Sequence, residues 1–164
     1  MNAFAHALPV GLKILIVDDD PTTRALLRAL VLQLGHEVIV AENGMSAIEM
    51  FRSERPDVVL LDVLLPDIDG PRVMLDMRAA CGDRWVSIIF VTTVRGISTH
   101  AEMLGQGGDD YLIKPVHESI LRAKLEVVRR MIGLHRQLEQ TNRELLCSHE
   151  AAEQEKREIG RAHV

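Results

Sequence analysis

An α/β domain with a doubly wound, five-stranded parallel sheet and helices on both faces, extended by one long C-terminal helix, is the fold class the sequence predicts. Three observations predict it. Short apolar runs without alternation recur along the first two thirds of the chain, as suits strands buried on both faces. Segments with apolar residues at helical spacing separate them, and strands alternating with helices imply a parallel sheet covered on both sides. From about residue 133 onward there is no proline and helix-forming residues dominate.

The elements follow in order. Residues 1–11 read as a flexible arm that ends at Pro9 and Gly11. Lys13–Val17 is a β-branched apolar strand that stops at Asp18, Asp19 and Asp20. Pro21 suits a first helical turn. Ala25, Leu26, Ala29, Leu30 and Leu34 then recur at helical spacing until Gly35 ends the helix. Glu37–Ala41 is a second strand. Asn43-Gly44 turns the chain, and Ala47, Ile48 and Phe51 mark a short helix before Pro56. Val58–Leu61 is a third strand, halted by Asp62. A helix carrying Val73, Met74 and Met77 follows Pro66 and Gly70. Ile88–Val91 is a fourth strand ending at Thr92-Thr93. A weaker helix near Ser98–Leu104 precedes Gly105, Gly107 and Gly108. Tyr111–Ile113 is a fifth strand ending at Lys114-Pro115, and the long helix begins near His117.

Composition narrows the function. A chain of 164 residues holds one domain with a sizeable core plus an appendage. Its net charge of −5 gives no support for direct nucleic-acid binding, which usually leaves a basic patch. No apolar run reaches the roughly 20 residues of a membrane span. The start, Met1 to His6, lacks the basic region of a secretory signal, so a cytoplasmic location is expected. Cys81 and Cys147 lie far apart, without metal spacing, and read as reduced thiols.

In doubly wound folds the site lies outside the carboxyl ends of the strands. The aspartates at 18, 19 and 20 follow the first strand, Asp62 the third, Thr92 the fourth and Lys114 the fifth. Carboxylates gathered at one rim repel each other, and a hard divalent cation such as Mg2+ or Mn2+ relieves that repulsion. A carboxylate can also accept a phosphoryl group, a reaction that needs mainly positioning and charge stabilisation. Lys114 supplies a fixed positive charge and Thr92 a hydroxyl for a phosphoryl oxygen. Singly, each residue has a blander role: an aspartate caps a helix, a lysine is solvated, Tyr111 is core. The joint pattern carries the weight.

Four stretches strengthen it. Ile14-Leu15-Ile16-Val17-Asp18-Asp19-Asp20, Leu60 through Gly70, Phe90-Val91-Thr92-Thr93, and Asp109 through Pro115 strongly resemble the response-regulator receiver family over about residues 12–130. The resemblance implies a flavodoxin-like sheet of strand order 2-1-3-4-5. It implies Asp62 as phosphoacceptor and metal ligand, with Asp18 and Asp19 as the acidic pair that also holds the metal, Asp19 the more directly. The Leu64 backbone carbonyl becomes a further ligand. Thr92 becomes the switch hydroxyl, Lys114 the phosphoryl-binding lysine, and Tyr111 the aromatic that changes rotamer. It also implies a cis Lys114–Pro115 bond and a sensor histidine kinase or phosphotransfer protein as donor. The chain then acts as a signalling switch, not an enzyme beyond its own phosphorylation and slow dephosphorylation. Leu64, two residues past Asp62, is apolar and cannot orient an attacking water, so the phosphoryl group should be long-lived. Thr93 is slightly larger than the small residue often found after the switch threonine and narrows access.

Asp18-Asp19-Asp20-Pro21-Thr22 also fits the Asp-x-Asp-x-Thr motif of haloacid-dehalogenase-like phosphatases, with Asp18 as nucleophile. That family places its lysine before its late acidic pair, whereas Lys114 follows Asp109-Asp110, and Asp62 would have no role.

Residues 131–164 read as a helical stalk, a coiled-coil linker to an output domain. As heptads, Val128, His135, Asn142, His149 and Lys156 occupy a, and Met131, Leu138, Leu145, Ala152 and Ile159 occupy d. The apolar d column predicts a parallel homodimer, because an isolated helix is marginal; a solvated or folded-back helix is the alternative. Ile132, Leu134 and Leu146 widen the stripe. Gly133 is a candidate hinge, and the helix from His117 to Ile159 should be about 60 Å long at about 1.5 Å per residue. His135 and His149 stand four turns apart, too far for shared metal ligation.

Overall fold

The computed structural model describes residues 10–93, 101–102 and 104–162. Among the described residues these elements follow in chain order: β1 (Lys13–Val17), α1 (Pro21–Gln33), β2 (Glu37–Ala41), α2 (Gly44–Glu54), β3 (Val58–Asp62), α3 (Gly70–Cys81), β4 (Ser87–Thr92), β5 (Asp110–Ile113) and α4 (Glu118–Ala162). Most of the expected N-terminal arm lies outside the described residues. So does most of the helix expected near Ser98–Leu104, of which Ala101, Glu102 and Leu104 are helical.

All strand pairs are parallel, in the order β2-β1-β3-β4-β5. The apolar strands bury both faces, as their lack of alternation predicts. Ile14, Ile16, Val58, Leu60, Ile89 and Val91 pack against Leu27 and Val31 of α1 and against Leu121, Leu125, Val128 and Ile132 of α4. Their neighbours Leu15, Val17, Val59, Leu61, Ile88 and Phe90 pack against Ala47, Ile48 and Phe51 of α2 and Val73, Met74 and Met77 of α3. Each fully buried aliphatic or aromatic side chain contributes about 1.5–3 kcal/mol of transfer free energy.

Helix α1 corrects its expected stripe. Leu27 and Val31 carry its core contact, whereas Leu26 is 46% exposed and Ala25 and Ala29 are exposed. Leu30 and Leu34 pack at the margin. A run so rich in leucine admits more than one apolar face, and the sheet selects among them. Gly35 closes the helix at φ 86°, a left-handed conformation that favours glycine.

Helix α4 runs 45 residues without a break, about 67 Å at 1.5 Å per residue. Gly133 lies inside it and makes no hinge here. Two residues assigned to the a column face the domain instead. Val128 is in the core, and His135 stacks on Trp85 with centroids 5.1 Å apart and planes 10° from parallel. Next to it, Arg136 Nη2 lies 3.5 Å from Asp57 Oδ1. Contact with the domain therefore reaches Arg136. No helix among the described residues is long and apolar enough to cross a membrane. Cys81 and Cys147 are free thiols.

Candidate functional site

Three parallel strands end at one rim of the sheet and deliver the site. Asp18 follows β1, Asp62 closes β3, and Lys114 follows β5. The intervening β4 ends at Thr92, one residue past Val91, which is in register with Asp62. The amide of Lys114 donates to the Thr92 carbonyl at 2.9 Å, tying these two strand ends together.

Lys114 Nζ lies 3.0 Å from Asp62 Oδ2 and 2.6 Å from Asp18 Oδ2. Donor and acceptor are hydrogen-bonded at Asp62. At Asp18 the amine makes a short ion pair with Oδ2, a buried oxygen. Its other oxygen, Oδ1, accepts from the Asp20 amide at 2.9 Å. Asp62 Oδ1 accepts from the Leu64 amide at 3.2 Å. One ligand oxygen from each of Asp18, Asp19 and Asp62 lies within 4.8 Å of the others.

The acidic trio divides by function. Asp18 and Asp19 face Asp62, whereas Asp20 caps α1, accepting from the Thr23 amide at 2.9 Å and the Thr23 hydroxyl at 2.6 Å. These bonds, led by the hydroxyl, hold the Asp20 carboxyl below its usual range against the opposing effect of burial. The second acid of the phosphatase-like motif is thus occupied as a helix cap.

Burial pushes the Asp62 carboxyl up, the Lys114 amine pulls it down, and the Asp18 charge adds to the push; the net direction is up. For Lys114, burial works against the charged amine, but hydrogen bonds and charge from Asp18 and Asp62 outweigh it and raise its pKa. One cation thus pairs with two of the three clustered carboxylates. Oxygen donors at this spacing, with a single ammonium group among them, fit a hard divalent ion such as Mg2+.

The loop between β3 and α3 completes the rim. The Gly70 amide donates to the Val63 carbonyl at 2.8 Å, closing the loop at its base. A Cβ at Gly70 would sit 2.4 Å from the Asp62 carbonyl oxygen, so only glycine permits this approach. Leu64 is 66% exposed on the loop. Thr92 is buried, and Tyr111 packs at the margin of the core beneath α2 and α3. Lys124 Nζ lies over the Tyr111 ring and 2.5 Å from Asp110 Oδ2. The Lys114–Pro115 bond is cis. Thr93 is exposed beside the rim.

Residues the sequence reading missed are those that hold the frame. Asp67 bonds the first turn of α2, and Asp109 Oδ2 joins the Ile88 amide to Arg78, each at 2.7 Å. Their partners lie about twenty to thirty positions away along the chain, so no local spacing signals them.

A parallel sheet of this order, with an acidic cluster and one lysine at its carboxyl rim, defines a regulatory domain of the CheY-like class. The chain matches the family model of the response regulator receiver domain over residues 14–126. It is 36% identical over 116 residues to Protein PilH of Pseudomonas aeruginosa, covering 71% of this chain and 96% of PilH. It is 34% identical over 137 residues to the probable transcriptional regulator ycf27 of Guillardia theta, covering 84% of this chain and 49% of that one. It also superposes on the BeF3-activated N-terminal receiver domain of Klebsiella pneumoniae RstA. There the TM-score is 0.66 and the identity 33%, with 72% of this chain and 98% of that chain covered. The chain belongs to the response regulator receiver family. It spans about half the length of the ycf27 relatives it matches.

Proposed function

We propose that this chain is a phosphorylation-dependent switch in which Asp62 accepts a phosphoryl group from a phosphohistidine on a sensor histidine kinase or phosphotransfer protein. The observation that carries the reading is the Lys114 amine held between the carboxylates of Asp62 and Asp18, with Asp19 beside them, at the carboxyl rim of the sheet.

In this reading an Asp62 carboxylate oxygen attacks phosphorus in line. The bond to the donor imidazole nitrogen breaks and its electron pair stays on that nitrogen. Lys114 offsets charge on the phosphoryl oxygens. Asp18, Asp19, Asp62 and the Leu64 carbonyl would hold Mg2+ or Mn2+, which when bound supplies charge compensation for carboxylates and phosphoryl oxygens alike. The Thr92 hydroxyl then draws toward a phosphoryl oxygen and Tyr111 turns inward. Together they bias a two-state equilibrium at the face that includes β5 and the start of α4. Leu64 offers no polar group to orient water, which favours slow loss of the phosphoryl group.

Because α4 leaves the domain as one continuous helix, it is a direct route to an output domain. Its exposed stripe supports a parallel homodimer through residues 131–164, in a protein working in the cytoplasm without membrane or direct nucleic-acid contact. The test replaces Asp62 with Asn and, separately, Asp18 with Asn, in the presence of acetyl phosphate and Mg2+. Asp62→Asn should abolish covalent phosphate. Loss confined to Asp18→Asn would move the nucleophile to Asp18, as in the haloacid-dehalogenase-like alternative.

A further inference from the structure

We propose that Asp67 is a positioning residue for the divalent-ion site, acting by clamping the β3–α3 loop to the amino end of α2; the inference rests on the metal reading above. An α-helix leaves its first amide N–H groups without intrahelical partners and carries partial positive charge at that end. Helix α2 has no acidic residue in its first turn. Its own N-cap, Asn43, serves only the third position, accepting from the Ser46 amide at 2.9 Å. The first two amides, those of Gly44 and Met45, are met from outside. Asp67 Oδ1 accepts from Gly44 and Oδ2 from Met45, each at 2.8 Å.

That pair of bonds has two ends. One completes the helix. The other fixes a seven-residue loop, 63–69, that carries the Leu64 carbonyl and begins at the phosphoacceptor. Asp67 sits opposite the loop's base, where Gly70 already bonds Val63. Without the clamp the loop is held at its root but not at its tip. Space confirms how close the two elements lie. A Cβ on Gly44 would meet Val73 Cγ2 at 2.7 Å, Ile68 Cγ1 at 3.0 Å and Asp67 Oδ1 at 3.3 Å. The glycine lets the loop press against the helix end, and Ile68 packs into the core beside it. Although burial opposes it, the amide bonds hold the Asp67 carboxyl below the usual carboxylate range, so it stays ionised and keeps both acceptors.

The test compares two residues that both cap α2, only one of which reaches the loop. Mg2+ is titrated calorimetrically into the full chain as wild type, Asp67→Ala, Asp67→Asn and Asn43→Ala, and each is melted in EDTA. Asp67→Ala should weaken Mg2+ binding about tenfold, the lower end of what losing an outer-shell partner costs a metal site. Asp67→Asn, which keeps one acceptor oxygen, should fall between. Asn43→Ala should lower the melting temperature as much while leaving Mg2+ affinity within about twofold. Unchanged affinity in Asp67→Ala, or an equal loss in Asn43→Ala, overturns the inference and leaves the metal reading standing. A wild-type chain that binds no Mg2+ overturns both. If Asp67→Ala fails to fold, Asp67→Asn is judged on the same comparison: weaker Mg2+ binding supports the clamp and wild-type binding rejects it.

Discussion

The two halves of α4 carry apolar residues at similar helical spacing and meet opposite fates. In the first half, Leu121 and Leu125 are sealed against the sheet, with Val128 and Ile132 close behind. In the second, Leu138, Leu145 and Leu146 are about 60% exposed. The difference is not in the helix but in what stands beside it. The sheet ends near Trp85 and Asp57, at the amino edges of β4 and β3, and these take the last contacts from His135 and Arg136. Spacing says that a helix has an apolar face; it does not say what covers it. The exposed stripe that remains, Met131, Leu134, Leu138 and Leu145, is the surface on which the proposed dimer depends.

That contrast can be broken at either half. The largest effect belongs to the docked one. Leu125→Ala should cost about 3 kcal/mol in denaturant unfolding, because the cavity cannot collapse between sheet and helix. Leu145→Ala should change domain stability by no more than about 0.5 kcal/mol. A similar cost at both would mean that the distal half folds back on the domain. Next, replacing Leu138 and Leu145 together with Asn should abolish self-association in sedimentation equilibrium without shifting domain unfolding. A wild-type chain that stays monomeric at high concentration would remove the stalk dimer from the account.

A third effect is confined to the docked half and depends on pH. His36 Nδ1 accepts the Leu12 amide at 3.1 Å, and burial first, then Arg129 of α4, push the imidazole below its usual value, with Glu126 opposing. A base with a lowered folded pKa is neutral in both states above about pH 6.5. As pH falls below that, the unfolded chain takes up the proton first, so stability should drop. His36→Gln should flatten this slope, while a peptide of the distal helix should show no matching change. The smallest effect is expected of Arg136→Ala. Its half-exposed pair with Asp57 should contribute about 0.5 kcal/mol at most. A larger loss would show that the foot of the domain holds the helix more firmly than one surface ion pair can.

How much of this was legible beforehand varies by residue. The strands read cleanly because a strand buried on both faces is apolar without interruption, and Val58–Leu61 could be little else. The rim read cleanly because Asp18, Asp62 and Lys114 each terminate such a strand, and parallel strands bring their carboxyl ends together. Helix α1 misled by one position because leucines on neighbouring faces leave the period ambiguous, and only the sheet chooses Leu27 over Leu26. His135 misled because a heptad column assumes a partner helix, whereas Trp85 of the same chain takes that side first. Asp67 was silent because its two amide partners lie more than twenty residues earlier, and contact of that range leaves no periodicity.

The central claim is that the rim is a metal-dependent acceptor of one phosphoryl group. Intact mass followed over time, after acetyl phosphate is added with Mg2+ and again with EDTA, tests it most directly. The account predicts the mass of a single added phosphoryl group with Mg2+, none with EDTA, and slow decay once acetyl phosphate is removed. A mass that never changes contradicts the acceptor itself, and decay within seconds contradicts the role given to Leu64.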